Sequence, residues 1–466
     1  MLKTIILAVI LFSLGFAEHA VAQSVIRISG AATYRPPVQR AVEDILNPGF
    51  TFAYFGSARY RPTASIYAGT LKSNNASVII KTYWTGDVSG VVALATDTPI
   101  TKWIANTETR TTTGTVLTST YTTEAPTTAD VTIAVSDATS SSAVASTAGA
   151  AGVNASSAIL NVGLVNAGSP AKAGGAQTVG IAAFQWVLGK LANGFTAPIT
   201  NITQAEAAAL ISGPTPLAFF TGNPADKFKY VFAVGRSEDA GARSVPFAEA
   251  QLGFYTPPLQ YQLSFASNQT TQADGLPTGG VGSTVSGLYL WPANSPLNAA
   301  PTLNWNAPGH SGYGLTSDLA NALSSTNPVN IASLTIGNAN NPTPTPTGIT
   351  QAYFIGYNAV VDSAALVANG GTALSYNGVP YSEAAVKNGQ YSLWSYAHVY
   401  YIGSGARALT GDKKRAADDL ADIIFDADAN TNGSGVVGST GGSGIVLDSS
   451  VLVGRNLEGG VIFQTY

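Results

Sequence analysis

Three stretches of this 466-residue chain place a glycine-containing turn between a short apolar strand and a helix. The first runs from Val25-Ile26-Arg27-Ile28 through Ser29-Gly30-Ala31-Ala32-Thr33 into a helix that opens with Pro36-Pro37-Val38. In the second, Val78 to Tyr83 leads into Gly86-Asp87-Val88-Ser89-Gly90, and in the third, Lys229 to Val234 leads into Gly235-Arg236-Ser237-Glu238-Asp239-Ala240-Gly241. A helix start carries roughly half a positive charge and NH groups without an intrahelical partner. Three such starts converging on a cleft hold an anion without any net positive charge on the protein. Other chemistry is poorly supplied. The chain has no cysteine, which excludes thiolate catalysis, disulfides, Cys-type zinc sites and thiol lipidation. Its histidines are His19, His310 and His398, with no acidic partner at a motif spacing and no Gly-x-Ser-x-Gly elbow, so a hydrolase has little support. The expectation is a non-enzyme with no catalytic residue, cofactor or metal site.

The elements that must position these turns follow from patterning. Val38, Val42, Ile45 and Leu46 keep helical spacing, and prolines in a first helical turn cost little because those NH groups lack partners anyway. Strand, turn and helix repeated three times predict an α/β architecture. Only 10% of the residues are charged, whereas 45% are hydrophobic, enough to fill a sizeable core. A net charge of -4 argues against a nucleic-acid-coating protein, whose footprint is basic.

Residues 1–22 read as a secretory signal: Lys3 supplies the positive charge, Thr4 to Phe16 the apolar run, and Ala20-Val21-Ala22 a small-x-small cleavage site. The apolar run is too short for a spanning helix, which needs about 20 residues. With no cysteine to carry lipid, the predicted product is soluble and periplasmic or secreted. Elsewhere, the threonine-rich stretch Thr107 to Thr128 favours β-hairpins or an exposed loop. The Ala/Ser/Gly-rich stretch Ala138 to Gln177 reads as decoration, Asn341 to Thr347 as a polyproline-like spacer, and Asp412 to Ala427 as an amphipathic packing helix presenting Leu420, Ile423 and Ile424. Trp186 and Trp394 read as core or cleft-wall aromatics. No repeat of 20 to 50 residues is present, which argues against propellers and solenoids.

In their order along the chain, these units resemble the phosphate-type periplasmic substrate-binding proteins of ABC transporters. Gly30-Ala31-Ala32-Thr33-Tyr34-Arg35-Pro36-Pro37-Val38 is similar to the family's opening Gly-Ala-x-x-Thr-Phe-x-x-Pro-Val. Gly86 to Gly90 stands at the place of its Gly-Ser-x-Gly-Gly turn, and Val135-Ser136-Asp137-Ala138 resembles Ala-Ser-Asp-Ala. Val234 to Arg243 is similar to its Arg-x-x-x-Ser-Gly-Thr loop, Asn388 to Ser395 to its return segment, and Gly309-His310-Ser311-Gly312 sits where a helix start is usual. The resemblance implies a type 2 periplasmic-binding-protein fold: two α/β lobes, each a mixed sheet flanked by helices, joined by two crossing strands. After the signal, it implies 23–180 as the first part of lobe 1, 181–352 as lobe 2 and 353–466 as the return to lobe 1.

It further implies a monomer that captures phosphate or a related oxyanion between its lobes and delivers it to an inner-membrane ABC permease, with no nucleic acid involved. The implied ligand-binding residues are Thr33, Tyr34, Asp87, Asp137, Arg236, Gly241, Ala242 and Arg243. In these roles Thr33 and the Tyr34 NH hold the anion, Arg236 pairs with it, and Asp137 accepts a proton from it. An acceptor carboxylate selects a protonated oxyanion over a fully ionised one, because like charges placed together without a proton cost several kcal/mol. The chain departs from the family pattern where Ala240 and Ala242 replace hydroxyl residues and Asp87 replaces serine. Each hydrogen bond lost to a charged group is worth about 1.5–3 kcal/mol, and an added carboxylate repels an anion unless Arg236 or Arg243 pairs with it. Bland alternatives stand beside these roles: an Arg236–Asp137 salt bridge, Asp87 as a turn residue and Thr33 as a helix cap. The competing function is a secreted structural or adhesive protein on the same fold with a degenerate ligand site.

Overall fold

The computed structural model describes residues 23–465 except 57, 126–130, 138–163, 169–177, 193–195, 238–239, 253–257, 267–269, 272–276, 279–283, 291–312, 314–315, 325–328, 337–345, 426–443, 446 and 448–449. The expected leader, the turn holding His310, Glu238, Asp239 and most of the Ala/Ser/Gly-rich stretch lie outside the described residues. The fold is mixed α/β, a large sheet flanked by helices and organised as two halves.

The first half contains β1 (Ser24–Gly30), α1 (Arg35–Ile45), β2 (Thr51–Phe55), β3 (Ala64–Thr70), β4 (Ser77–Tyr83), α2 (Asp87–Thr96), β5 (Thr115–Leu117) and β6 (Ile133–Ser136). β1 pairs in parallel with both β4 and β6, and its inner residues Ile26 and Ile28 are buried as a central parallel strand requires. α1 takes prolines at its first positions, as predicted, and buries Val38, Ala41, Val42 and Ile45. The second half contains β7 (Gly180–Leu188), α3 (Gln204–Ser212), β8 (Lys229–Ala233), α4 (Gly241–Glu249) and β9 (Gln351–Ala359). There β8 runs parallel to β9, and β9 antiparallel to β7.

The two halves meet at β7 and β10 (Trp394–Ile402), giving the continuous order β8-β9-β7-β10-β6-β1-β4-β3-β2-β5. β10 pairs with β7 through Trp394–Ala397 and with β6 through His398–Tyr400, so one strand belongs to both halves. Position 353 lies in β9, paired within the second half, and β10 carries the chain back. Trp186 and Trp394 are fully buried in the shared core, and Trp186 meets Tyr357 edge-on at 5.1 Å. The amphipathic helix forms as α5 (Gly411–Phe425), burying Leu420 and Ile424 and packing on α1 and β10.

The threonine-rich stretch is more integrated than a loop. Thr115–Leu117 adds an edge strand parallel to β2, and Glu124 reaches two cations of the central strands. Arg27 Nη2 lies 2.7 Å and Lys81 Nζ 2.9 Å from the Glu124 carboxylate, and Lys81 has no exposed surface. Burial alone would raise the Glu124 carboxyl, but hydrogen bonds from Arg27 and Lys81 outweigh it and hold the group below its usual range. Removing one partner of such a cluster strands a buried charge. Glu124→Ala is therefore expected to cost about 3 kcal/mol of unfolding free energy in a urea titration. A change within about 0.5 kcal/mol would mean the cluster adds nothing to stability.

Candidate functional site

The three predicted turns end side by side. Parallel strands β1 and β4 stop at the same edge, and Gly90 in the first turn of α2 packs directly on Gly30, where an added Cβ would lie 2.6 Å from the Gly30 Cα. Only glycine permits that approach, which sets the start of α2 against the start of the first turn. β6 ends beside β1 and delivers Asp137, while β8 delivers Arg236 and α4 from the other half. The helix starts at Asp87 and Gly241 are preceded by Gly86 and Ala240, which supply no capping side chain. By contrast α3, whose Gln204 meets the far end of α4 at the Glu249 carbonyl, opens with a complete Thr203–Glu206 capping box.

A cavity of about 20 Å³ remains where the halves meet, lined by Ala31, Thr33, Trp84, Thr85, Gly86, Asp87, Asp137, Arg236, Ala240, Gly241 and Ala242 among others. That volume suits a single water. Of the predicted binding residues, Thr33, Asp87, Asp137, Arg236, Gly241 and Ala242 line it. Tyr34 and Arg243 are not among its lining residues. The Tyr34 NH donates to the Ala31 carbonyl, and its buried ring reaches Gly180 on β7. The Arg243 guanidinium lies over the Phe247 ring at 5.1 Å. Sequence reading missed Trp84 and Thr85, whose only signal was adjacency to the second turn; Trp84 Nε1 is buried without an acceptor among the described residues.

Asp87 does not behave as an isolated turn residue. Its carboxylate accepts from the Gly241 NH, at the start of α4 in the opposite half, and from the Val88 NH at the start of α2. Asp137 accepts from the Thr33 hydroxyl, so Thr33 serves this carboxylate, and the helix start has no side-chain cap. Arg236 donates through Nε to the Tyr313 carbonyl at 2.9 Å, and its charge pulls the Asp137 carboxyl down. Asp87 Oδ2 and Asp137 Oδ1 are buried and, among the described residues, receive no NH or OH from any other side chain or backbone. Both approach Gly241 so closely that a Cβ there would collide with each. A proton shared between the carboxyls satisfies both oxygens.

The electrostatics agree. Burial, then the negative charge of Asp137, pushes Asp87 well above the usual carboxylate range, and burial also raises Asp137 against the pull of Asp87, Thr33 and Arg236. The pair thus retains a proton where isolated carboxylates would have none. Burial and then Asp137 likewise raise the Tyr34 phenol, which stays neutral.

No family model matches this chain, and no curated protein matches it. Among solved structures it is similar to a substrate-binding protein of Clostridium perfringens, a candidate for phosphate ABC transport solved with bound phosphate: 11% identity, 91% of this chain and all of that chain covered, TM-score 0.40. PstS from Borrelia burgdorferi gives 11% identity, 92% and 100% coverage and a TM-score of 0.36. An ABC-type phosphate transport receptor from Vibrio cholerae gives 11% identity, 85% and 93% coverage and a TM-score of 0.34. These values describe a likeness of chain course, and no ligand follows from them.

Because the folded pair binds more protons than the unfolded chain, its contribution to stability is full below the unfolded carboxyl pKa of about 4. It is lost as pH rises through the folded value. The groups facing the pair from the packed elements are Thr33 and Tyr34 beyond β1 and Arg236 before α4. Between about pH 5 and the folded value, stability is expected to fall by about 1.4 kcal/mol per pH unit for each extra proton held. Asp87→Asn, a neutral isostere of the protonated acid, removes most of that slope; an identical slope in the variant would show that residue 87 holds no proton. Gly241→Ala is expected to force the carboxyls apart and lower the midpoint of thermal unfolding by about 1–3 °C, a cost of about 1–3 kcal/mol in a chain of this length. An unchanged midpoint would refute the close approach.

Proposed function

We propose that this chain is an extracytoplasmic solute-binding protein that takes a small, protonated oxyanion between its halves, hydrogen phosphate being the leading ligand, and hands it to a membrane ABC permease. The supporting observation is convergence. Thr33 and Asp137 from one half and Arg236, Gly241 and Ala242 from the other line one cavity beside two helix starts. Arg236 supplies charge, the helix starts supply NH groups, and Asp137 supplies an acceptor for a ligand that carries a proton. A cavity the size of one water means that the ligand enters with the halves apart, bending at the shared strands β7 and β10. Export rests on the leader read at 1–22, and of the expected lobe bounds the exit near 180 is kept while the return is taken at β10 rather than at 353. Among the described residues, no helix is long and apolar enough to cross a membrane.

A structural or adhesive protein on the same fold is the second reading, favoured by one observation: Asp87 already fills the space between the helix starts. Thermal unfolding of residues 23–466 with phosphate, arsenate, sulfate and a neutral sugar separates the two. Under the solute-binding reading, phosphate and arsenate at about ten times their dissociation constant stabilise by about 1.4 kcal/mol, and sulfate does not. Asp137→Asn and Arg236→Ala each abolish the shift. Stabilisation that survives both changes would place the ligand elsewhere, and none by any anion would leave the structural reading.

A further inference from the structure

The Asp87 carboxyl makes the contacts an incoming anion needs. It accepts from the first NH of α4 in one half and from an NH in the first turn of α2 in the other, and turns its second oxygen toward Asp137, the acceptor assigned to a ligand proton. Only 1% of Asp87 is exposed, and the space left beside it holds one water. Phosphate or arsenate has five heavy atoms and cannot share that space, so it and the carboxyl compete for the same NH groups.

We propose that Asp87 is the resident occupant of the anion subsite, so that an oxyanion binds only by displacing it and residue 87 sets the affinity of the cleft. This rests on the solute-binding reading above. A carboxyl bound intramolecularly lowers apparent affinity by the fraction of molecules in which it has let go. It also ties α2 to α4, so the ligand-free protein is held closed. The resident group offers Asp137 a proton as hydrogen phosphate would. Sulfate, lacking that proton, is the poorer competitor.

The experiment is titration calorimetry of wild type, Asp87→Ser and Asp87→Asn with inorganic phosphate and with sulfate at one pH near neutrality. Asp87→Ser removes the carboxyl and is expected to bind phosphate about 100-fold more tightly than wild type, the factor for a competent population near 1%. Asp87→Asn keeps a side chain of the same shape between the helix starts and is expected to stay within a few-fold of wild type. If wild type binds phosphate and Asp87→Ser binds it no more tightly, the resident-occupant proposal fails and the solute-binding reading stands. Should neither respond to any anion, both fail. A second measurement needs no variant: in the wild type, saturating phosphate must shift the Gly241 and Val88 amide resonances, the two NH groups that Asp87 holds. Amides that stay put while phosphate binds would overturn the proposal even if Asp87→Ser does not fold.

Discussion

A carboxyl group buried between two helix starts and a second carboxyl governs the centre of this molecule. Asp87 is cut off from bulk water, so it keeps a proton for Asp137 and offers its remaining acceptor to the Gly241 NH. Each group depends on the others. Without Asp137 the proton has no acceptor, without the α4 start one carboxyl oxygen lacks its donor from the opposite half, and with any side chain at 241 the groups cannot meet. Desolvation is what gives the arrangement its strength, because the same contacts in water would be worth a small fraction of their value.

The two halves hold their shares of this site by different means. In the first half the strands carrying the turns are tied by buried polar networks: Arg27 and Lys81 on Glu124, and Gln39 with Ser65, Tyr67 and Thr82. In the second half, Glu249 at the end of α4 pairs with Arg455 at 2.5 Å, and Arg455 also donates to the Trp394 carbonyl where β10 begins. The helix whose start faces the cavity is thereby fastened at its end to the strand shared by both halves. A movement of α4 relative to α2 would bend the sheet at β7 and β10, the strands through which the halves are joined.

Much of the first half was legible from local pattern. Alternating apolar residues, Pro36-Pro37 and the spacing of Val38, Val42 and Ile45 all favour the structure they adopt, because strand burial and helix entry depend on near neighbours. The amphipathic helix near 412–425 was legible for the same reason. Glu124 was not, since nothing in a threonine-rich run signals that this acid will meet Arg27 and Lys81, nearly 100 and 43 residues away. Tyr34 shows the same limit: its backbone NH is spent on Ala31, a local turn bond that a motif match cannot see.

By itself the sequence determined the strand-turn-helix units, their order, the lack of thiol chemistry and the presence of an acid in the second turn, since residue type and short spacing suffice for each. Tertiary structure alone decided that Asp87 would face Gly241 across 154 positions of chain, that Asp137 would lie beside it, and that the two would share a proton. The physical reason is that a carboxyl's charge depends on the water and donors around it, and those were supplied by segments that only the folded sheet brings together.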